Sequence, residues 1–241
     1  MIPPMGSIEE LLERPVYGFQ QVDRLLLLRP GTAERWIDGY ERRGHTYPPV
    51  VRDEKTGDDI VTWGEFVESR FLAEYRNKGV PIVNMRPAIL RMKERFGLKY
   101  PLAHLKPFAF GKELVEEVQE EVGLESALRM VVIRSGQYLL TDPAQQFINS
   151  VDFGREPAVD NDSVVQRLHP LTGSSIVMVD PLRQFGEPVV RSVPTTVIAE
   201  LFDAGDSVEA IADLYDLGTA DVEAALRYER EQDKASAPSA A

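Results

Sequence analysis

Residues 19–31, FQQVDRLLLLRPG, constrain the fold more than any other stretch of this chain. Val22, Leu25, Leu26 and Leu28 fall on one helical face. Arg29-Pro30-Gly31 then stops that helix, because proline lacks a backbone donor and clashes with the turn before it. Thr32 follows as a natural N-cap, and the spacing predicts a second helix over roughly residues 33–43, with Trp36, Ile37 and Tyr40 facing a core. Two short helices joined by a tight turn with glycine make a helix-turn-helix. Thr32, Arg35 and Arg42 are left pointing outward. Such a face is either an ordinary solvated surface or a helix that enters a DNA groove. In the second reading the first helical turn meets base edges, which makes Thr32 and Arg35 the base-proximal candidates, Arg35 with a fork that suits guanine.

The stretch that follows has the form of a wing. VVRDEKTGDDIV (50–61) sets two apolar pairs around a charged loop with Gly57 and predicts a β-hairpin. Arg42, Arg43, Arg52 and Lys55 suit phosphates, which position a protein without specifying sequence. Thr62 caps a predicted helix, WGEFVESRFLAEYRNKG, that Gly79 ends. Pro81 opens another, whose basic face of Arg86, Arg91, Lys93 and Arg95 is either simply solvated or a further phosphate or dimer surface. Upstream, Ser7 and Glu10 have capping-box spacing.

Residues 101–178 read as a mixed α/β linker or dimerisation domain. LKPFAFGKELVEEVQE joins a strand-like opening to an acidic segment, and RMVVIRSGQYLL holds a strand. DPAQQFINSVDF is an amphipathic helix, and VVQRLHPL and SIVMVD are strands. Beyond them, helices are predicted over 195–205, 207–216 and 219–232. Ile198, Leu201, Phe202, Val208, Ile211, Leu214, Val222, Ala225, Leu226 and Tyr228 form their core. The expected fold is mainly α with small β elements (α+β): a winged helix-turn-helix over 1–100, the mixed domain over 101–178, a trihelical domain over 179–232 and a disordered tail over 233–241.

Charge separates the two ends. Up to Phe110 there are 17 Lys and Arg against 15 Asp and Glu; from Gly111 onward there are 10 against 24, which accounts for the overall −12. Phosphate binding answers mostly to charges within roughly 8 Å at physiological salt, so the net charge does not exclude DNA from the N-terminal half. The trihelical segment has helix-turn-helix form without a positive surface, and an acidic helical module fits a protein partner better. The chain contains no cysteine, which excludes disulfides, thiolate metal sites and thiol catalysis. Its start lacks the basic-then-apolar order of a secretion signal, and the run in VDRLLLLRP is too short to span a bilayer; a cytoplasmic protein with no membrane contact is expected. His45, His104 and His169 are isolated, and no nucleophile elbow, phosphate-binding loop or dinucleotide fingerprint is present. The carboxylates of GDD (57–59) and DNDS (160–163) sit in turn-like contexts. No catalysis, cofactor or metal is expected.

Two blocks resemble a known family. The tail, with Asp180-Pro181, Phe185-Gly186, Pro188-Val189-Val190, Val193-Pro194-Thr195 and AGDSVEAIADLYDLGTADVEAALRYE, is similar to a small homeodomain-like domain of bacterial antitoxins encoded beside PIN-like ribonuclease toxins. ERWIDGY, TYPPVV, VTWGEFVESRF and RSGQY resemble the MerR-like winged helix-turn-helix and central segment of its longer members. Over nearly its whole length the chain looks like a VapB-type antitoxin. The resemblance implies a homodimer that represses its own operon by binding operator DNA and silences the ribonuclease by occlusion. It implies toxin contacts from Arg183, Phe185, Arg191, Arg227 and Arg230, with Arg227 or Arg230 entering the carboxylate-rich toxin site. The alternative is a stand-alone MerR-like regulator whose middle segment senses a ligand.

Overall fold

The computed structural model describes residues 8–154 and 163–236, and it is mainly helical with small antiparallel sheets, as the sequence predicts. The chain opens with α1 (Ile8–Leu12), β1 (Pro15–Gly18), α2 (Phe19–Leu25) and α3 (Thr32–Ile37). A hairpin of β2 (Tyr40–Arg42) and β3 (His45–Tyr47) comes next. Strand β4 (Ile60–Thr62) returns to pair with β1 and leads into α4 (Trp63–Tyr75). Then come α5 (Arg86–Phe96), α6 (Lys106–Ala109), α7 (Lys112–Glu121), the hairpin β5 (Val131–Arg134) and β6 (Gln137–Leu140), and α8 (Asp142–Asn149). Strands β7 (Val151–Phe153) and β8 (Val165–Leu168) pair with each other. A small sheet of β9 (Val177–Met178), β10 (Val189–Val190) and β11 (Val193–Pro194) introduces α9 (Thr195–Asp203), α10 (Val208–Tyr215) and α11 (Thr219–Ser236). None of the described helices is long and apolar enough to cross a membrane.

Helix α4 organises the first core. It is buried almost all round, the pattern of a helix surrounded by partners. The expected cap forms: Thr62 Oγ1 accepts from the Glu65 amide, and the Glu65 carboxylate accepts from the Thr62 amide at 2.9 Å. Trp63 donates its indole N–H to the Val165 carbonyl at 2.7 Å, and the Phe71 ring packs on Phe108 and Phe147. Gly64 sits against Tyr100 so closely that a Cβ there would lie 2.6 Å from the ring. A single cluster of buried side chains runs from Leu12 to Val179, so residues on both sides of position 100 share one core. A second cluster, Leu171 to Tyr228, belongs to α9–α11 and the small sheet.

Several sequence readings change. The helix expected over 33–43 stops at Ile37, because Gly39 turns left-handed (φ 75°) against the Tyr47 carbonyl. The hairpin expected at 50–61 forms instead at 40–47, where Arg43 and Gly44 both take positive φ, the requirement of a tight two-residue turn. LKPFAFGKELVEEVQE forms two helices and no strand. The basic face of α5 meets the acid of α7: Arg91 pairs with Glu121 at 2.9 Å and Arg95 with Glu117 at 2.9 Å, while Lys93 and Arg86 hold Asp53. Leu214, assigned to the trihelical core, is 64% exposed. Helix α11 runs on to Ser236, into the segment read as tail. The Ser7 cap, Asp160–Asp162 and the last residues of the tail lie outside the described residues.

Candidate nucleic-acid and partner interfaces

The α2–α3 turn is fastened by a residue that the periodicity argument passed over. Asp23 is buried, and its carboxylate accepts from the Gly31 amide at 2.6 Å and the Ala33 amide at 2.7 Å, closing the start of α3. Burial raises the Asp23 pKa above the ordinary aspartate value, against the opposing pull of those backbone bonds. Gly31, left-handed at φ 76°, takes the N-cap position expected of Thr32, and Thr32 is the first helical residue, half-buried. Arg35 is exposed and folds back to the Pro30 carbonyl at 3.3 Å. Trp36, half-buried, packs against the core, and its carbonyl accepts from the Val50 and Val51 amides.

The β2–β3 hairpin follows α3 directly and is stiffened by Tyr40 stacked on Tyr47, with ring centroids 4.5 Å apart. Arg42 and Arg43 lie exposed at its tip, on a strand and a turn rather than on a helix. Lys55 is exposed on the following loop. Arg52 is not available to phosphate. Its guanidinium binds Glu65 at 2.7 Å, Asp38 at 2.9 Å and the Asp58 and Ile60 carbonyls at 2.8 Å, with its side chain 10% exposed. Asp38 in turn accepts from the Thr56 and Gly57 amides. The segment read as a wing therefore closes as a loop whose backbone is satisfied by side chains.

At the other end, Asp180 anchors the loop that carries Arg183 and Phe185. Its carboxylate pairs with Arg167 at 3.0 Å and Arg183 at 3.5 Å and accepts from the Leu182 amide. Gln184 and Phe185 are both left-handed (φ 45° and 55°), and the Phe185 side chain is 89% exposed. The next residue is fixed: Gly186 accepts the buried Tyr17 hydroxyl at 2.5 Å, and Arg24 pairs with Glu187 at 3.5 Å. Tyr17 reaches this bond from β1, braced edge-on against Phe66. Arg191, also left-handed, lies 3.4 Å from Asp221, and Arg230 covers the Phe202 ring. Arg227 is exposed on α11 with no ion-pair partner among the described residues. The structure thus gathers Arg183 and Phe185 on one loop, while Arg191 sits in the β10–β11 turn and Arg227 and Arg230 sit on α11. Sequence reasoning missed Tyr17 and Asp23, whose partners cannot be inferred from periodicity.

Comparison with known proteins places these elements among relatives. The family described as protein of unknown function (DUF433) matches residues 177–228, which span β9 to most of α11. A protein of Mycobacterium tuberculosis (strain ATCC 25618 / H37Rv) named "Putative antitoxin VapB45" is 28% identical over 229 residues, 87% of this chain and 91% of that protein. The crystal structure of Rv2018 from Mycobacterium tuberculosis superimposes with a TM-score of 0.70 at 24% identity, over 88% of this chain and 97% of that one, and so shares the fold. The uncharacterized protein Rv2308 of Mycobacterium tuberculosis is 40% identical over 226 residues, 92% of this chain and 93% of its own length. The chain belongs to the same protein family as Rv2308.

Proposed function

We propose that this chain is an antitoxin: its C-terminal unit binds and neutralises a PIN-like ribonuclease encoded beside it, and its N-terminal elements repress the shared operon as a homodimer on operator DNA. The antitoxin name of the relative at 28% identity and the match over residues 177–228 support this reading. The observation that carries it is Phe185. Left-handed backbone at a residue other than glycine costs of order 1–3 kcal/mol, and Gln184 and Phe185 both adopt it to hold an aromatic ring in solvent. Aromatic side chains held rigidly on a surface are the usual anchors of protein interfaces. The exposed acids of α9 and α10, among them Glu200, Asp203, Glu209 and Asp213, suit a partner whose own surface must attract RNA. Neutralisation is occlusion without turnover, in the cytoplasm where operon and transcript meet.

On the DNA side, α2, its turn and α3 form the reading element, with the β2–β3 hairpin as the wing. Thr32 and Arg35 stand nearest the bases, and Arg42, Arg43 and Lys55 contact phosphate. Co-expression with the neighbouring reading frame tests the whole. The full-length chain should co-elute with that ribonuclease and relieve its growth arrest. Phe185→Ser should lose both without a change in unfolding midpoint, whereas Arg35→Ala should lose only the operator gel shift. A wild-type chain that neither co-elutes nor rescues growth overturns the reading.

A further inference from the structure

Between the α2–α3 turn and the last turns of α11 lies a cleft of about 800 Å³, and of the DNA-facing residues named above it shares Thr32. It lies outside residues 101–178, where a sensing segment was the alternative. Leu27, Leu28 and Trp36 give it an apolar floor. Arg29, Arg76 and Lys234 also line it, against one carboxylate, Glu231, among the described residues. Arg29 and Lys234 have no ion-pair partner among the described residues. Among the described residues Arg76 donates only to backbone, the carbonyls of Leu26 and Leu27. Burial, Arg70 and Arg29 together depress the Arg76 pKa, so cations are gathered here at a cost to one another. The site is also firmly built: Leu27 is held left-handed (φ 52°), and the Leu26, Leu27 and Leu28 amides bond back to Val22, Arg24 and Asp23.

We propose that this cleft binds a small anion bearing an aromatic ring. The ring lies on Leu27, Leu28 and Trp36, and the acidic group sits among Arg29, Arg76 and Lys234. The volume matches small-molecule clefts, roughly 300–1,000 Å³. Guanidinium groups bind phosphate or carboxylate and also stack on rings, which suits both halves of such a ligand. An occupant touches α11 and the α2–α3 turn at once, and Thr32 lines the same cleft. The inference stands apart from the antitoxin reading.

Calorimetry and tryptophan fluorescence on the full-length chain test it, with AMP and 8-anilinonaphthalene-1-sulfonate as probes and inorganic phosphate and adenosine as controls. At least one probe should bind saturably, tenfold or more tighter than phosphate or adenosine, and quench emission from Trp36. Arg29→Glu and Lys234→Glu should each weaken it at least tenfold at an unchanged unfolding midpoint, and Trp36→Phe should remove the quenching. Three outcomes overturn the proposal: no saturable binding of either probe, binding of phosphate as tight as that of the probes, or affinities unaltered by both charge reversals.

Discussion

The Asp38 carboxylate lies where α3 ends, and it collects the Thr56 and Gly57 amides, the Thr56 hydroxyl and the Arg52 guanidinium. Burial alone would raise its pKa, but the bonds from Thr56, Arg52 and Gly57 outweigh burial and hold it below the ordinary value. A group depressed in this way stabilises the fold fully above its unfolded pKa, about 3.9, and loses that contribution as the pH falls through its lower folded value. Urea midpoints measured against pH should therefore separate wild type from Asp38→Asn at neutral pH and draw them together progressively as the pH falls from about 4 through the lower folded value. Arg52→Ala should be the more damaging change. It leaves Asp38 and Glu65 without their cation beneath the loop, and removing one partner of a buried pair costs about 3–5 kcal/mol. Equilibrium urea unfolding reads that loss directly. Arg52 was read as a phosphate contact because a sequence shows its charge and hides its neighbours: Asp38 and Glu65 come to it only after α3 and α4 have packed.

Among the elements, helices with local caps were the most legible. Thr62 before α4 and Ser207 before α10 hold amides three residues ahead, within reach of a single turn. Strands were harder. β4 pairs with β1 across the whole of α2, α3 and the hairpin, and nothing in IVT names PVYG as its partner. The length of α3 was misjudged for another reason: Trp36, Ile37 and Tyr40 keep helical spacing while Gly39 quietly breaks the backbone. That glycine has no substitute. A Cβ would lie 2.6 Å from the Tyr47 carbonyl and 2.8 Å from the Pro49 nitrogen, at a φ that side chains resist. Gly39→Ala should cost about 2 kcal/mol in urea unfolding and detach the hairpin from α3, seen as loss of the Tyr40–Tyr47 stacking in ring NMR shifts. The α5–α7 ion pairs should behave oppositely. They are half-exposed, so Arg95→Ala should cost less than about 1 kcal/mol, and the difference should shrink in molar salt.

At the scale of the molecule, two cores meet along a short seam, with Tyr17 on Gly186, Arg24 on Glu187, and α11 resting on α2. The opposed charges of the two ends were plain from composition, but the seam was not, because its decisive bond joins a tyrosine hydroxyl to a backbone carbonyl far along the chain. Tyr17→Phe keeps the ring against Phe66 and removes only the donor. It should cost about 1–3 kcal/mol by leaving a buried carbonyl unsatisfied, and it should speed hydrogen exchange at the Gly186 and Glu187 amides while sparing α4. Phe185 stands immediately before this bond. A protein that pulls on its ring therefore pulls on a tethered line: the tension passes through Gly186 into Tyr17 and so to β1, the strand that feeds α2. Traction on Phe185 would reach the first core without having to unwind α9, α10 or α11 on the way.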